Sequence, residues 1–307
     1  MHTTLSVLGA LLIAGVPLLA QPQLDYQPVA GWPQVPGEIT LAACMGVDVD
    51  AGGNIWLYNR GSHPVIQFDP SGRVLQAWPA HKTVPRHPLA AHGLRIGPDG
   101  GVWLVDREIN QISKFTPGGV TLLVLGMFAG QAGDNNAKYG FNRPTTLNFD
   151  SDGNVYVADG YGNTRVVKYS SGGRYLRHWG TPGKGDGQFN LVHEVVADDA
   201  DRIYVGDRGN SRIQVFDRDG KFLAKWEGIG APWGLDYDAR EKAIWMCDGD
   251  TGRVTKLSLD GKVLGVFGSK GAAPGQFDAA HAIAAGPDGS LYVAETVNNR
   301  VQKLVRK

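Results

Sequence analysis

The sequence predicts an all-β fold, a β-propeller with six blades. Three observations support this prediction: an aromatic residue recurs inside six short apolar segments, glycine is abundant with 43 residues among 307, and no segment after residue 20 shows the 3.6-residue period of a helix. The glycines lack the every-third-residue spacing of collagen, so they indicate many tight turns.

The repeat is defined by the aromatic residue of each apolar segment. Around it the same order recurs: a β-rich stretch, a turn such as GPDGG, the aromatic strand, a polar loop, a strand such as RIQVF, a second turn and a final strand. Alternating β-branched and aromatic residues between such turns favour antiparallel hairpins, so each repeat supplies four short strands. The aromatic residues, at spacings of 47, 53, 48, 41 and 47, are Trp56, Trp103, Tyr156, Tyr204, Trp245 and Tyr292.

The two ends of the repeat array predict a closed ring. Four-stranded units of this size cannot bury their hydrophobic faces alone, and radial packing leaves no exposed sheet edge. The last repeat stops after its third strand, VQKL at 301–304, and the stretch YQPVAGWP at 26–33 looks like the missing fourth strand. We therefore expect the N-terminal strand to complete the last blade. An open solenoid would need polar caps at both ends, and the sequence shows none.

Residues 1–20 are expected to form a signal peptide, and residues 21–307 the six-bladed propeller domain. The apolar run from Leu5 to Leu19 is too short for a comfortable membrane span, and Ala20 precedes the polar Gln21. No Lys or Arg precedes the run, so an uncleaved N-terminal anchor is the alternative. We expect a secreted or periplasmic protein that makes no membrane contact after cleavage.

Charge and cysteine content narrow the classes of partner. Thirty basic residues balance thirty acidic ones, so net charge gives no reason to expect binding to nucleic acid or anionic lipid. Two cysteines, Cys44 and Cys247, are too few for a disulfide framework. We expect two buried thiols, with a single disulfide as the alternative, and a monomer.

Histidine occupies one equivalent position in repeats two, four and six. Eleven residues before the aromatic stand His92, His193 and His281, whereas repeats one and three have Met45 and Thr145 there. This position begins the innermost strand of a blade, and alternate blades of a six-bladed ring lie about 120° apart. Three converging imidazoles suit Zn²⁺ with a fourth position open, although a single such histidine is more commonly a polar residue at a strand end. The sequence predicts a zinc site of the catalytic type.

The polar loops after the aromatic strands lie at the same end of the blades as these histidines, because the second strand of an antiparallel hairpin ends where the first begins. An arginine beside a metal suits a carboxylate through two parallel hydrogen bonds, and a tyrosine near cations is a candidate proton acceptor. The recurring acids Asp106, Asp159, Asp207 and Asp248 more commonly hold loops through backbone amides. We assign catalysis to Tyr161, Arg60 and Arg208, substrate binding to Arg60, Arg208, His63 and Asn163, and no role to Asn59 and Arg107.

Several segments are similar to a known family: NRGSH (59–63), AHGLRIGPDGGVWLVD (91–106), DGYGNTRVVKYSSGGRYLRHWG (159–180), GQFNLVHEVV (187–196), DRGNSRIQVF (207–216) and GQFDAAHAIAAGPDGSLYVAE (275–295). The repeats resemble the NHL class, and the fuller pattern resembles the catalytic core of peptidyl-α-hydroxyglycine α-amidating lyase. In that family three histidines bind zinc. The family's zinc ligands match His92, His193 and His281, and its active-site residues match Arg60, Tyr161 and Arg208.

This resemblance implies a reaction and its partner. The reaction would cleave the N–Cα bond of a C-terminal α-hydroxyglycine, carried by a small molecule or a peptide, and release an amide and glyoxylate. Zinc would act as a Lewis acid on the substrate hydroxyl, Arg60 would hold the carboxylate, and Tyr161 or a metal-bound hydroxide would take the proton.

The chain departs from that family at three positions. Gly162 stands in place of a disulfide-forming cysteine, and Ala279 in place of a pocket methionine. Ala282 replaces an aspartate that helps to bind a structural calcium ion, so Ca²⁺ is an open alternative. Two other functions also remain: a lactonase-like metal-dependent hydrolase, which usually binds its metal with carboxylates and Asn, and an exported NHL scaffold without catalysis.

Overall fold

A computed structural model describes residues 21–80 and 90–307 and confirms the six-bladed β-propeller. The predicted signal peptide, residues 1–20, lies outside the described residues. Within the described ranges no helix is long and apolar enough to cross a membrane. Helical structure there is confined to three 3₁₀ turns, η1 (Arg107–Ile109), η2 (Phe128–Gly130) and η3 (Arg208–Asn210).

Each blade is a four-stranded antiparallel sheet, and in blades 1 to 5 the strands follow chain order from the axis outward. Blade 1 comprises β2 (Cys44–Val49), β3 (Ile55–Asn59), β4 (Val65–Phe68) and β5 (Val74–Trp78). Blade 2 comprises β6 (Ala91–Ile96), β7 (Val102–Asp106), β8 (Gln111–Phe115) and β9 (Thr121–Leu125). Blade 3 comprises β10 (Thr146–Phe149), β11 (Val155–Asp159), β12 (Arg165–Tyr169) and β13 (Tyr175–Trp179). Blade 4 comprises β16 (Val192–Ala197), β17 (Ile203–Asp207), β18 (Arg212–Phe216) and β19 (Phe222–Glu227). Blade 5 comprises β20 (Gly234–Asp238), β21 (Ala243–Asp248), β22 (Arg253–Ser258) and β23 (Val263–Phe267). Blade 6 comprises β24 (Ala280–Ala285), β25 (Leu291–Glu295), β26 (Arg300–Arg306) and β1 (Tyr26–Pro28). A two-residue parallel pair, β14 (Thr181–Pro182) with β15 (Gln188–Phe189), lies between blades 3 and 4.

The ring closes through blade 6, as the sequence predicts. Strand β1 pairs antiparallel with β26, with Tyr26 opposite Arg306 and Pro28 opposite Leu304. Each innermost strand contacts the innermost strands of both neighbouring blades, including β2 against β24 across the closure. The six innermost strands therefore surround one axis.

The recurring aromatic residues are anchored at both their apolar and their polar parts. All six are at most 2% exposed. In four blades the ring N–H or the phenolic hydroxyl donates to an aspartate at the start of the preceding turn, which satisfies a polar group that burial would otherwise strand. These pairs are Trp56 with Asp50 (2.9 Å), Tyr156 with Asp150 (2.9 Å), Tyr204 with Asp198 (2.9 Å) and Trp245 with Asp238 (3.5 Å).

The hydrophobic core is divided into six clusters, and each cluster joins two adjacent blades. Trp56 and Trp78 of blade 1, for example, pack against Leu94 and Phe115 of blade 2. A blade therefore buries its faces only when its neighbours are present, which fixes the angular position of every innermost strand. Cys44 and Cys247 are buried and unpaired, as expected, and burial raises the pKa of both thiols.

Candidate metal centre

The three predicted histidines meet at the axis. His92 on β6, His193 on β16 and His281 on β24 are 1%, 1% and 4% exposed, and one ring nitrogen from each lies within 4.8 Å of the others. Their ring centroids are 5.1, 4.7 and 4.9 Å apart. The convergence predicted from the repeat is confirmed, and we call these residues the triad. They could hold a metal ion.

A bulge in the innermost strand places each histidine. The register of β6 with β7 shifts between Ala91 and Leu94, and the register shifts in blades 4 and 6 likewise span His193 and His281. A bulged residue leaves the ladder and can be directed away from the neighbouring strand. These imidazoles therefore turn towards the axis instead of into a blade interface.

The odd-numbered blades orient the imidazoles with backbone carbonyls. The Nδ1–H groups of the triad donate to the carbonyl oxygens of Met45, Thr145 and Trp233, at 2.5 to 2.7 Å. Met45 and Thr145 stand at the same repeat position as the histidines, and Trp233 lies beside it. Because a carbonyl only accepts, Nδ1 carries the proton and each Nε2 keeps a free lone pair.

Burial keeps the triad uncharged at neutral pH. It lowers the pKa of all three imidazoles, and that of His281 falls to about 3. Mutual repulsion among the histidines lowers the pKa of His92 and His193 further, and nearby arginines contribute to the shift in all three. Metal ligation requires neutral imidazole, so the site is already in the protonation state that a metal needs.

Tyr161 and Arg208, both predicted site residues, lie against the triad. The Tyr161 hydroxyl is 3.3 Å from Nε2 of His92, 3.2 Å from Nε2 of His193 and 3.4 Å from Nη1 of Arg208. The Arg208 guanidinium lies 3.4 Å from the centroid of the Trp233 ring, a cation–π contact. A hydroxyl and a guanidinium therefore share the open side of the three nitrogens.

Arg60, the third predicted catalytic residue, is held beside His92. Its Nε and Nη2 donate to the carbonyl oxygen of Ala91 at 3.2 and 3.1 Å. Burial lowers its pKa, and the charge of Arg107 lowers it further, so the two guanidinium groups lie close enough to repel. Arg60 therefore adds a second positive charge at this end of the axis.

Arg107 is a residue of this site to which the sequence analysis assigned no role. Its guanidinium lies 5.0 Å from the centroid of the Tyr161 ring and forms an ion pair with Glu108 at 2.6 Å. Counting four residues past the aromatic gives Arg60, Arg107 and Arg208 in three different blades. Aligning the repeats on the aromatic residue, which identifies the three histidines, therefore also identifies these three arginines.

The other two predicted substrate-binding residues lie elsewhere in the loops. The buried Asn163 amide donates to the Gly133 carbonyl at 3.1 Å and to Asp159 at 2.8 Å, so it holds the loop framework. His63 contacts the Ser62 hydroxyl at 3.1 Å. No contact places either residue on the triad, and their substrate-binding roles stay predictions.

Three of the four recurring acids, Asp159, Asp207 and Asp248, hold the loop framework through backbone amides as expected, whereas Asp106 accepts from the Tyr58 hydroxyl instead. Asp159 accepts from the backbone N–H of Asn142 and pairs with buried Arg165 at 2.9 Å. Asp207 accepts from the backbone N–H of Asn190 and pairs with Arg212 at 2.8 Å. These bonds fix the loops from which Tyr161 and Arg208 project.

Comparison with known sequences relates the chain to NHL-repeat proteins. The NHL repeat model matches residues 141–169 and 189–216. NHL repeat-containing protein 3 of Homo sapiens is 33% identical over 208 residues, covering 66% of this chain and 59% of that protein. Peptidyl-glycine alpha-amidating monooxygenase B of Xenopus laevis is 34% identical over 202 residues, covering 59% of this chain and 22% of that protein. The chain thus spans less than two thirds of the length of these relatives.

Comparison with solved structures supports the fold. A structure of streptogramin B lyase superimposes with a TM-score of 0.63 at 16% identity, covering 92% of this chain and 97% of that one. Virginiamycin B lyase from Staphylococcus aureus gives a TM-score of 0.58 at 17% identity, covering 92% and 87%. At this identity the likeness shows a shared propeller fold.

Proposed function

We propose that this chain, an NHL-repeat β-propeller related to the peptidylglycine amidating enzymes, is a zinc-dependent lyase that cleaves the N–Cα bond of a C-terminal α-hydroxyglycine or a related carboxylate-bearing substrate. One observation carries the proposal: three buried, neutral imidazoles converge, and the Tyr161 hydroxyl faces two of their free nitrogens. A scaffold that only bound proteins would have no need of such a buried polar cluster.

The donor set fits zinc. Three imidazole nitrogens with their tautomers fixed by carbonyl partners form an open three-ligand site, which zinc enzymes use when a fourth position must accept water or substrate. When bound, the ion would supply Lewis acidity at the substrate hydroxyl. Lactonase-like propellers rely on carboxylates and Asn for their metal, and the triad contains neither.

The arginines support an acid-bearing substrate. Among residues 21–80 and 90–307, no carboxylate lies within 4.0 Å of the guanidinium nitrogens of Arg60 or Arg208, whereas Arg107 is paired with Glu108. A partly buried guanidinium without an anion is a ready partner for a substrate carboxylate through two parallel hydrogen bonds. We assign this role to Arg60, with Arg208 beside Tyr161.

Tyr161 is placed to move the proton. It would accept the proton of the substrate hydroxyl while the carbon–oxygen double bond of glyoxylate forms and the N–Cα bond breaks. The electron pair of the broken bond goes to the amide nitrogen, which takes up the proton, so no oxidant or reductant is required. The Arg208 guanidinium, 3.4 Å from the phenolic oxygen, would stabilise negative charge that develops on this oxygen during the transfer.

The partner and the location follow from the same proposal. A substrate need only bring its terminal residue to the mouth of the propeller, so both small α-hydroxyglycine compounds and peptide C termini would enter. We further propose that the protein acts as a secreted or periplasmic monomer and binds neither nucleic acid nor membrane.

The decisive experiment measures metal and product together. The chain from residue 21 to residue 307 would be purified, its bound metal quantified, and glyoxylate assayed with an α-hydroxyglycine compound such as α-hydroxyhippurate. His193→Ala should lose both metal and glyoxylate release, while the matched control His178→Ala, on outer strand β13 and bonded to Tyr175, should keep both.

Two outcomes would reject the proposal. Stoichiometric zinc without glyoxylate from any α-hydroxyglycine compound would keep the metal centre and remove the lyase. Wild-type protein that takes up no metal would favour a non-catalytic NHL scaffold.

A further inference from the structure

A second polar cluster lies on the axis next to the triad, and the proposed reaction does not use it. Its centre is Arg95, whose side chain is 5% exposed. Nη2 of Arg95 donates to the Leu235 carbonyl at 2.7 Å and to Glu194 at 3.3 Å, and Nη1 lies 3.8 Å from Asp236. We call Arg95, Glu194, Asp236 and Asp48 the arginine cluster.

Each member of the arginine cluster stands on an innermost strand close to a residue of the metal centre. Arg95 follows His92 by three residues on β6, and Glu194 follows His193 directly on β16. Asp236 follows Trp233, the carbonyl partner of His193, by three residues. The cluster therefore ties together strands of blades 2, 4 and 5 just beyond the metal centre.

Two acids extend these ties to the remaining ligand. Asp48 on β2 accepts from the Ile96 backbone N–H at 2.7 Å, and blade 1 also supplies the carbonyl partner of His281. Asp236 accepts from the backbone N–H of Ala285, on the strand of His281, at 2.8 Å. All three strands that carry the triad are therefore bonded to the arginine cluster.

This part of the axis does not fit a calcium ion. Calcium takes six to eight oxygen ligands, but Ala282 offers no side-chain oxygen where a calcium-binding aspartate would stand. The cavity shared by Arg95, Glu194, Ala282 and the triad has room for about one water-sized particle. One carboxylate oxygen each of Glu194, Asp48 and Asp236 already accepts a hydrogen bond from Arg95 or from a backbone amide.

The charge of Arg95 is a second argument against a bound calcium ion. Burial alone would lower the pKa of Arg95, but Glu194, Asp48 and Asp236 outweigh burial and raise it, so the guanidinium is firmly charged. Arg95 thus supplies, among three acidic side chains, the positive charge that a bound cation would otherwise provide. A calcium ion entering this space would have to displace the guanidinium or repel it.

We propose that Arg95 is an internal cation that takes the place of a metal ion on the axis, and that it is a positioning residue which holds the strands of the triad in register without calcium. The chain then binds one metal ion, at the triad, and its stability is independent of calcium. This inference goes beyond the proposed reaction and does not depend on any catalytic activity.

The first test uses the wild-type protein. Metal analysis after dialysis against calcium should find no bound calcium, and the unfolding temperature of the zinc-saturated protein should be the same with and without millimolar calcium. One calcium ion per chain, or an unfolding temperature that rises with calcium, would overturn the proposal. The outcome of this test does not depend on whether the protein releases glyoxylate.

The second test separates positioning from ordinary structural support. Arg95→Met should lower the unfolding temperature by about 5–10 °C, because it leaves buried carboxylates without their partner. It should also weaken zinc binding about 10–100-fold, the usual effect of losing an orienting partner, and shift the visible spectrum of the Co²⁺-loaded triad. Arg95→Lys, which keeps the charge, should restore part of both effects.

A matched control and a converse variant complete this test. Lys168→Met removes a buried cation on β12 of blade 3, paired with Asp150 at 3.2 Å, and should lower stability without changing the cobalt spectrum. The double variant Arg95→Met/Ala282→Asp should gain stability from calcium that wild type does not show. An unchanged cobalt spectrum and zinc affinity in Arg95→Met, or no response of the double variant to calcium, would contradict the proposal.

Discussion

The triad and the arginine cluster are adjacent layers of one axis, built from the same innermost strands, and they treat charge in opposite ways. The triad consists of uncharged imidazoles with free lone pairs, although arginines surround it. The arginine cluster contains a charged guanidinium among three acidic side chains. The triad therefore offers lone pairs to a cation, whereas the arginine cluster contains a cation of its own.

Removing one imidazole of the triad should have the largest effect on zinc binding and activity. His281→Ala should abolish stoichiometric zinc binding and lower the rate of glyoxylate release about 10⁴-fold or more, because in the proposed reaction the bound metal would activate the hydroxyl and position the substrate. Zinc content and glyoxylate assays measure both. Since Arg95→Met spares the ligands, it should keep substantial zinc, and an equal loss in the two variants would show that the layers are not distinct.

A smaller loss is expected when the proton acceptor alone is removed. Tyr161→Phe keeps the ring beneath Arg107 but lacks the hydroxyl, so glyoxylate release should fall about 10²–10³-fold, within the range for a general acid–base group. Zinc content should match wild type, since the three imidazoles are untouched. Wild-type turnover in this variant would remove Tyr161 from the mechanism.

Carboxylate recognition should contribute less than proton transfer. Arg60→Gln should lower kcat/KM about 10–100-fold, mainly through KM, because one charge-assisted contact is worth about 1.5–3 kcal/mol. The matched variant Arg107→Gln, at the same repeat position, should change kcat/KM only a few-fold because Glu108 already balances Arg107. Equal effects in steady-state assays would mean that the two arginines share the carboxylate.

The smallest effect concerns the pH dependence of the metal-free protein. The native imidazoles have lowered pKa values, so below about pH 6.5 the unfolded chain binds more protons and the free energy of unfolding falls. Each imidazole should cost about 2 kcal/mol between pH 7 and pH 5. Denaturant unfolding of wild type and His193→Asn at both pH values isolates one imidazole.

The arginine cluster contributes to pH dependence with the opposite sign. Burial raises the pKa of Glu194 and of Asp236, so their native forms bind protons more readily than the unfolded chain and favour the folded state as pH falls. The difference between wild type and His193→Asn removes this shared background. If both proteins lost the same free energy of unfolding, His193 would not be held neutral by burial.

The fold and the triad could be predicted because both follow from counting along the repeat. The aromatic residue marks the second strand of each blade, so a fixed step back from it gives one position on every innermost strand, and alternation of blades gives convergence. The same counting with a step of four would have assigned Arg107 alongside Arg60 and Arg208. The sequence places Arg107 in one of the polar loops beside the histidines, but a role for it follows only when the repeat positions of the three arginines are compared.

Other features could not be read from the repeat because they depend on contacts between blades. Arg95 meets Glu194, 99 positions away, and the Leu235 carbonyl, 140 positions away. The Asn163 amide donates to the Gly133 carbonyl in the loop before blade 3, a contact that the repeat spacing does not indicate, and its substrate-binding role stays a prediction. A single sequence does not show which polar group of a loop faces the framework.

Blade 6 links the assembly of the whole chain to its chemistry. His281 stands on a sheet whose outermost strand, β1, comes from the opposite end of the described chain and pairs with β26. The third imidazole therefore stands on a blade that is complete only when β1 and β26 have paired. Metal capture at the triad would report that the ring has closed.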